Sequence, residues 1–354
     1  MKNTIRIGAI AAASALVLAA CQSAPESTPE PTDTQQTTSA PAVDYKACMV
    51  SDSGGFDDKS FNQAGYEGLM AVADDLGLET ATAESADIAD FEGNINSLIA
   101  DGCDLVITVG FLLADATAAA AAANPDVDFA IIDFAFDPPI DNVKNLVFDT
   151  DEAAFLAGYV AAATTQTGVV ATFGGMNIPT VTIFMDGYLA GVNYYNAENG
   201  TDVKVLGWDG STGSFTDDFE DTTKGQNLTK GFIDQGADVV LPVAGPVGLG
   251  AAAAAAEAGN VWVIGVDSDW AQTAPDYKDI FLTSVMKNMG PAVYDVVSGA
   301  AVGSGFDNSP YVGTLENEGI GLAPTASVVS ADVLAKVEEL KAGIISGAIS
   351  VKLS

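Results

Sequence analysis

Short apolar runs alternate with helix-length segments along most of this chain, and the same rhythm starts afresh near its middle. In the first round, strands are expected at Lys46–Ser51, Glu79–Ala83, Asp104–Val109, Asp128–Asp133 and Leu146–Phe148. Between them, Ser60–Leu76, Asp87–Ala100 and Ala114–Ala123 read as helices. The second round places strands at Gly168–Phe173, Val203–Leu206, Val239–Val243 and Val261–Asp267. Its helices are Asp151–Thr165, Ile183–Ala197, Asn227–Gln235 and Leu249–Ala258. Neighbouring parallel strands need a crossover, and a helix of this length supplies it, so the pattern predicts βαβ units. Two such sets predict two α/β lobes with a cleft between them. Ile280–Val285, Gly290–Ala301 and Tyr311–Leu315 read as a return to the first lobe and back, with Ala331–Ile345 closing the second. The expected lobes are therefore 45–150 plus about 285–311, and 151–284 plus about 312–354.

The start of the chain does not fit that rhythm. Lys2 and Arg6 precede a short apolar run from Ile7 to Ala20, too short to span a bilayer comfortably and ending in Leu-Ala-Ala-Cys21. Residues 1–20 thus read as a secretory signal segment. The LAAC ending resembles a bacterial lipobox, which implies that Cys21 is the lipidated first residue of the mature chain. Residues 22–44 are rich in Pro, Thr, Ser, Gln and Glu with almost nothing apolar, the composition of a tether. The globular part would then work outside the membrane while staying beside it. An oxidising compartment leaves two readings open for Cys48 and Cys103: a disulfide, or two buried thiols.

Composition narrows the chemistry. A formal charge of −35 repels phosphate backbones and argues against a nucleic-acid partner. The chain has no histidine, which removes Ser-His-Asp and Cys-His catalysis and every histidine-ligated metal site.

Carboxylates recur where strands stop: Asp52 after CMVS, Asp133 after FAII and Asp267 after VIGV. In parallel α/β lobes these positions face the cleft, where a carboxylate accepts hydrogen bonds from a vicinal diol or a heterocyclic N–H. Each can equally cap the turn that follows it. Phe61 and Phe215 stand beside polar turns and suit either a core or a pair of faces around a flat ring. Lys287, one of few cations, suits either solvent or a role donating to hydroxyl oxygens. Gly245 opens a Gly-rich turn that is neither a dinucleotide fingerprint nor a Walker A loop. Asp52, Asp57 and Asp58 offer one enzyme alternative, a calcium-dependent nucleoside hydrolase. Gly54 interrupts the aspartate spacing such a site uses, and Asp57 and Asp58 also suit a helix start.

Taken together, the segments resemble the basic membrane protein family, the purine-nucleoside-receptor-like lipoproteins that serve ABC importers. The resemblance runs collinearly through most of residues 45–325. DSGGFDDKSFNQAGYEGL (52–69), FAIIDF (129–134), GADVVLPVAGPVGLG (236–250), VIGVDSDW (263–270) and TSVMKN (283–288) carry it. It implies a type I periplasmic-binding-protein fold, two Rossmann-like lobes joined by three crossovers and closing on a ligand. It also implies a purine base held between Phe61 and Phe215 and hydrogen-bonded by Asp133, with Asp52 and Asn62 near the same pocket. Gly245, Asp267 and Lys287 would hold the ribose hydroxyls, and Trp270, standing where a polar residue is more usual, would reshape the rim. The expected protein is a monomer without metal, cofactor or catalytic residues, anchored by lipid and delivering its ligand to a permease with a cytoplasmic ATPase. A receptor for a sugar or another small metabolite is the competing reading.

Overall fold

In the computed structural model, which describes residues 43–303 and 305–353, the alternation of strand and helix is realised in two rounds. The first holds β1 (Lys46–Ser51), α1 (Phe61–Leu76), β2 (Glu79–Ala83), α2 (Phe91–Ala100), β3 (Leu105–Val109), α3 (Ala114–Ala123), β4 (Asp128–Ile132) and β5 (Val143–Phe148). The second begins with α4 (Thr150–Thr164), β6 (Val169–Gly174), α5 (Pro179–Asn199), β7 (Lys204–Leu206) and α6 (Thr222–Ile233). It continues with β8 (Val239–Val243), α7 (Gly248–Ala258), β9 (Trp262–Asp267), α8 (Trp270–Thr273) and β10 (Phe281–Lys287). The chain ends with α9 (Met289–Val302), β11 (Tyr311–Gly313), β12 (Ile320–Leu322) and α10 (Ala331–Ile345). The expected signal segment, Cys21 and the tether up to residue 42 lie outside the described residues.

The strands form two six-stranded sheets of matching order, β11-β5-β4-β3-β1-β2 and β12-β10-β9-β8-β6-β7. Every pairing is parallel except that of β12 with β10. The central strands are buried along their whole length, as in LVITV of β3 and VVLPV of β8, because helices cover both faces of each sheet. The chain passes between the sheets three times, from β5 into α4, from β10 into α9 and from β11 to β12. This is the two-lobed α/β architecture that the resemblance implied.

Several expectations need correction. Ile280–Val285 was expected to travel with the returning segment, yet Phe281–Lys287 lies wholly in the second sheet, hydrogen-bonded to β9 and β12. Only α9, which packs on α1, and β11, which pairs with β5, go back to the first lobe. The α1–α9 contact is close because both helices present glycine: a Cβ on Gly68 would stand 2.2 Å from the Gly290 carbonyl oxygen. Helix α6 begins at Thr222 rather than Asn227, since the Asp221 carboxylate accepts from the Thr223 N–H and caps a first turn of weak helix formers. Helix α5 starts at Pro179, four residues before the apolar pattern begins, with proline at a position whose N–H needs no partner. Of the two readings for the cysteines, the structure has the disulfide. Cys48 on β1 and Cys103 before β3 are bonded beneath α2, with their Cα atoms 6.0 Å apart.

Candidate binding cleft

Strand ends from both sheets converge on one cavity. From the first sheet come Asp52 after β1, Gly110 and Phe111 after β3, and Asp133 after β4. The second sheet supplies Ala244, Gly245 and Pro246 after β8, Asp267 at the end of β9 and Lys287 at the end of β10. The starts of α1 and α5 add Phe61, Asn62, Thr180 and Phe184. The cavity itself measures about 70 Å³, and the space reaches about 590 Å³ only when its opening to solvent is counted.

Asp133 and Asp267 occupy equivalent strand ends, and both have a left-handed backbone, with φ of 67° and 66°. That conformation disfavours most side chains and is tolerated best by Asn and Asp. It turns both carboxylates towards the line between the lobes, where Lys287 lies. The Lys287 ammonium donates to Asp133 Oδ2 at 2.6 Å and stands 4.0 Å from Asp267 Oδ1. Phe61 and Phe184 each present a ring with its centroid 5.1 Å from the same nitrogen. All three ionic groups are nearly inaccessible, at 3% exposure for Lys287, 7% for Asp133 and 6% for Asp267.

The cavity is short of positive charge. Asp52, Asp58, Asp133 and Asp267 line it, and Lys287 is the one cation among its lining residues. Burial pushes the Asp52 carboxyl up to about 8, against the Asn62 amide, which donates to Asp52 Oδ1 at 2.8 Å. Burial likewise lifts Asp267 to about 6, opposed mainly by Lys287 and then by the Ser60 hydroxyl. Asp133 is pushed up by burial against the pull of Lys287, and Asp58 by burial against three backbone N–H donors. The Asn62 side-chain oxygen is buried without a partner. Such a wall is rich in acceptors and favours a ligand that brings hydrogen-bond donors.

Of the eight positions singled out in the sequence, seven line this cavity: Asp52, Phe61, Asn62, Asp133, Gly245, Asp267 and Lys287. Phe215 does not. Its ring lies over Gly174, where a Cβ would come within 2.6 Å of it, and meets Trp208 edge-on at 6.0 Å. The turn runs on, and Phe219 reaches the cavity instead. Trp270 is no rim residue either: it is buried at 1% exposure, donates its indole N–H to the Val266 carbonyl at 2.9 Å and fills the space left by Gly248 and Gly265. The aspartates of the hydrolase alternative diverge. Asp57 points outward at 87% side-chain exposure, and Asp58 turns inward to accept from the backbone N–H groups of Ser60, Asn62 and Gln63.

Sequence reasoning missed Ser60, Phe184 and Phe219, whereas Asp58 takes the helix-start place read for it and also lines the cavity. Phe219 had a signal, since it sits in the same polar turn as Phe215 and either could have been chosen. Phe184 had none, because an aromatic in an apolar helical stretch reads as core.

Comparison with known proteins agrees with this geometry. Residues 45–354 match the family described as ABC transporter substrate-binding protein PnrA-like. A CD4+ T-cell-stimulating antigen of Listeria monocytogenes is 33% identical over 96% of this chain and 95% of its own length. An ABC transporter nucleoside-binding protein of Lactococcus lactis subsp. cremoris is 32% identical over 99% of each. Among solved structures, an ABC transporter solute-binding protein from Aeropyrum pernix K1 aligns with a TM-score of 0.78 and 28% identity, over 86% of this chain and 92% of that one. The chain thus belongs to the PnrA-like family of ABC transporter substrate-binding proteins.

Proposed function

We propose that this protein captures a purine nucleoside in the cleft and hands it to a membrane permease driven by a cytoplasmic ATPase. One observation carries the reading: an aromatic face at Phe61 stands beside three buried carboxyl groups, Asp58, Asp133 and Asp267, and a half-buried fourth, Asp52, served by a single lysine. A nucleoside answers both features. Its flat base offers area for stacking, and its ribose hydroxyls and base N–H groups are the donors that the wall lacks.

In this reading Phe61 stacks on one side of the base and Phe219 takes the opposite side in place of Phe215. Asp133, Asp52 and Asn62 meet the base edge, and Asp267, Lys287 and the backbone at Gly245 hold the ribose. The mechanism is closure, not bond breaking. A ligand that touches both lobes stabilises the closed arrangement through contacts the open one lacks. Binding in the micromolar range or tighter corresponds to about −8 kcal/mol or better. Lipidation at Cys21 keeps the receptor at the outer face of the cytoplasmic membrane, and Cys21→Ser would release it from the membrane fraction.

Calorimetry on the purified protein tests the reading, with inosine, guanosine, adenosine, free purine bases, pentoses, hexoses and Ca²⁺ titrated separately. Sub-micromolar to micromolar binding of purine nucleosides, with the nucleoside recovered intact, is the expected result. Tight binding of a sugar alone would replace the purine reading, and calcium-dependent release of ribose would replace the receptor by a hydrolase.

A further inference from the structure

Helix α1 begins without the cap its sequence offers. Ser60 occupies the N-cap position, yet its hydroxyl makes no bond to the N–H groups of the first turn. Asp58 does that work from two residues earlier: Oδ1 accepts from Ser60 N at 2.9 Å and Gln63 N at 3.0 Å, and Oδ2 from Asn62 N at 2.8 Å. The Ser60 side chain is thereby free to point across the cleft. Its Oγ lies 2.9 Å from Asp267 Oδ2 and 3.1 Å from the Val266 carbonyl oxygen, both on β9 of the other lobe. In return, Ser268 Oγ donates to the Ser60 carbonyl at 3.3 Å.

One hydroxyl hydrogen serves two acceptors here, and the carboxylate is the stronger of them. Ser60 is only 1% exposed and Asp267 only 6%, so water does not compete for the bond. The bond occupies Oδ2 and leaves Oδ1 as the oxygen 4.0 Å from Lys287. Asp267 needs such a brace, because a left-handed backbone and an enclosed charge leave its rotamer with no other side-chain hydrogen-bond donor closer than Lys287.

We infer that Ser60 is a positioning residue for ligand capture: relieved of capping by Asp58, it spans the cleft and orients the Asp267 carboxylate towards the ligand. The inference rests on the nucleoside reading for what Asp267 grips, but the cross-lobe bond itself does not. Closure would bring the α1 start and the β9 end together, so the lobe that carries Phe61 also sets the geometry of the carboxylate on the opposite lobe.

Two measurements test this on the full-length protein. In the first, Ser60→Ala is expected to raise the Kd for inosine by about tenfold, the scale of one hydrogen bond to a charged group, while the Kd for hypoxanthine changes less than about twofold. Ser60→Thr, which keeps the hydroxyl, is expected to stay within about threefold of wild type for both ligands. Equal losses for the two ligands in Ser60→Ala, or no loss, would overturn the inference. In the second, spin labels at Glu92 on α2 and Glu257 on α7 report the distance between lobes. Ser60→Ala is expected to widen that distribution and Ser60→Thr to preserve it; an unchanged distribution in Ser60→Ala overturns the inference. If wild-type protein binds no nucleoside, the proposed function falls, and the distance measurement alone decides the role of Ser60.

Discussion

The two lobes share one strand order but divide the chemistry of the cleft unequally. Strand β4 of the first and β9 of the second each end in an aspartate with the same left-handed backbone. Around those matched ends the lobes differ. The first supplies Asp52, Asp58, Asn62 and Phe61, a mainly acidic wall, whereas the second supplies Lys287, the one cation among the lining residues, with Phe184 and Phe219. The strand ends equivalent to Lys287 and Asp52 are Phe148 and the glycine turn at Gly175, so the repeat of architecture is not a repeat of function. A cation on one lobe that answers a carboxylate on the other makes closure an electrostatic event across the cleft. It also makes each lobe incomplete alone. The lobes differ in reinforcement too, since the described disulfide ties β1 to the loop before β3 in the first lobe only.

The largest test of this division is Lys287→Met. Removing the cation leaves Asp133 and Asp267 buried with no opposite charge, which is expected to cost about 3–5 kcal/mol in urea unfolding and to abolish nucleoside binding. Adding Asp133→Asn to it should recover part of the stability but none of the binding. A loss below about 1 kcal/mol would show that the lobes do not depend on each other's charges. Next in size, Cys48→Ser with Cys103→Ser should destabilise the chain by about 2–4 kcal/mol. Hydrogen exchange should place the extra opening in β1, α2 and β3, with the second sheet little changed; uniform loosening would argue against lobes that differ in this way.

Smaller effects should separate the two walls by ligand. Phe61→Ala is expected to weaken nucleosides and free bases alike by about 1–2 kcal/mol, because stacking is lost for both. Asp267→Ala should weaken nucleosides far more than bases, and equal losses in calorimetry would contradict the ribose assignment. A further test concerns protons. Asp52, at about 8, and Asp267, at about 6, each hold a proton in the folded chain at pH values where an unfolded carboxyl, near 3.8, has released it. Unfolding then releases protons, so these two groups make the protein less stable as pH rises from about 4 to about 8. Asp52→Asn keeps the shape and the acceptor for Asn62 without the ionisation. Its stability in urea unfolding should match wild type near pH 4 and exceed it near pH 8. A constant difference across that range would mean that Asp52 is ionised throughout.

Much of this was legible in the residues. Apolar runs such as LVITV and VVLPV can be buried on both faces only inside a parallel sheet covered by helices, so local pattern alone led to the lobes. Strand-end carboxylates were visible for a related reason, since the carboxyl edge of such a sheet faces the cleft whatever the rest of the chain does. The errors fell where position depends on distant partners. Phe215 and Phe219 are four residues apart in one irregular turn, and only the fit of the first over Gly174 and against Trp208 decides that the second faces the cavity. Trp270 looked like a rim residue until Gly248 and Gly265 opened a core space for it.

By itself, the order of residues determined the number of lobes, the parallel sheets and the acidic strand ends, because periodicity and turn chemistry act over a few neighbours. Tertiary structure alone decided that Lys287 meets Asp133, that Cys48 is bonded to Cys103, and that Ser60 gives up its cap to reach Asp267. Those pairings join residues 154, 55 and 207 positions apart. No local preference specifies contacts at such separations. They exist because the carboxyl ends of strands from two sheets converge on one cavity, where buried charges and hydroxyls find each other.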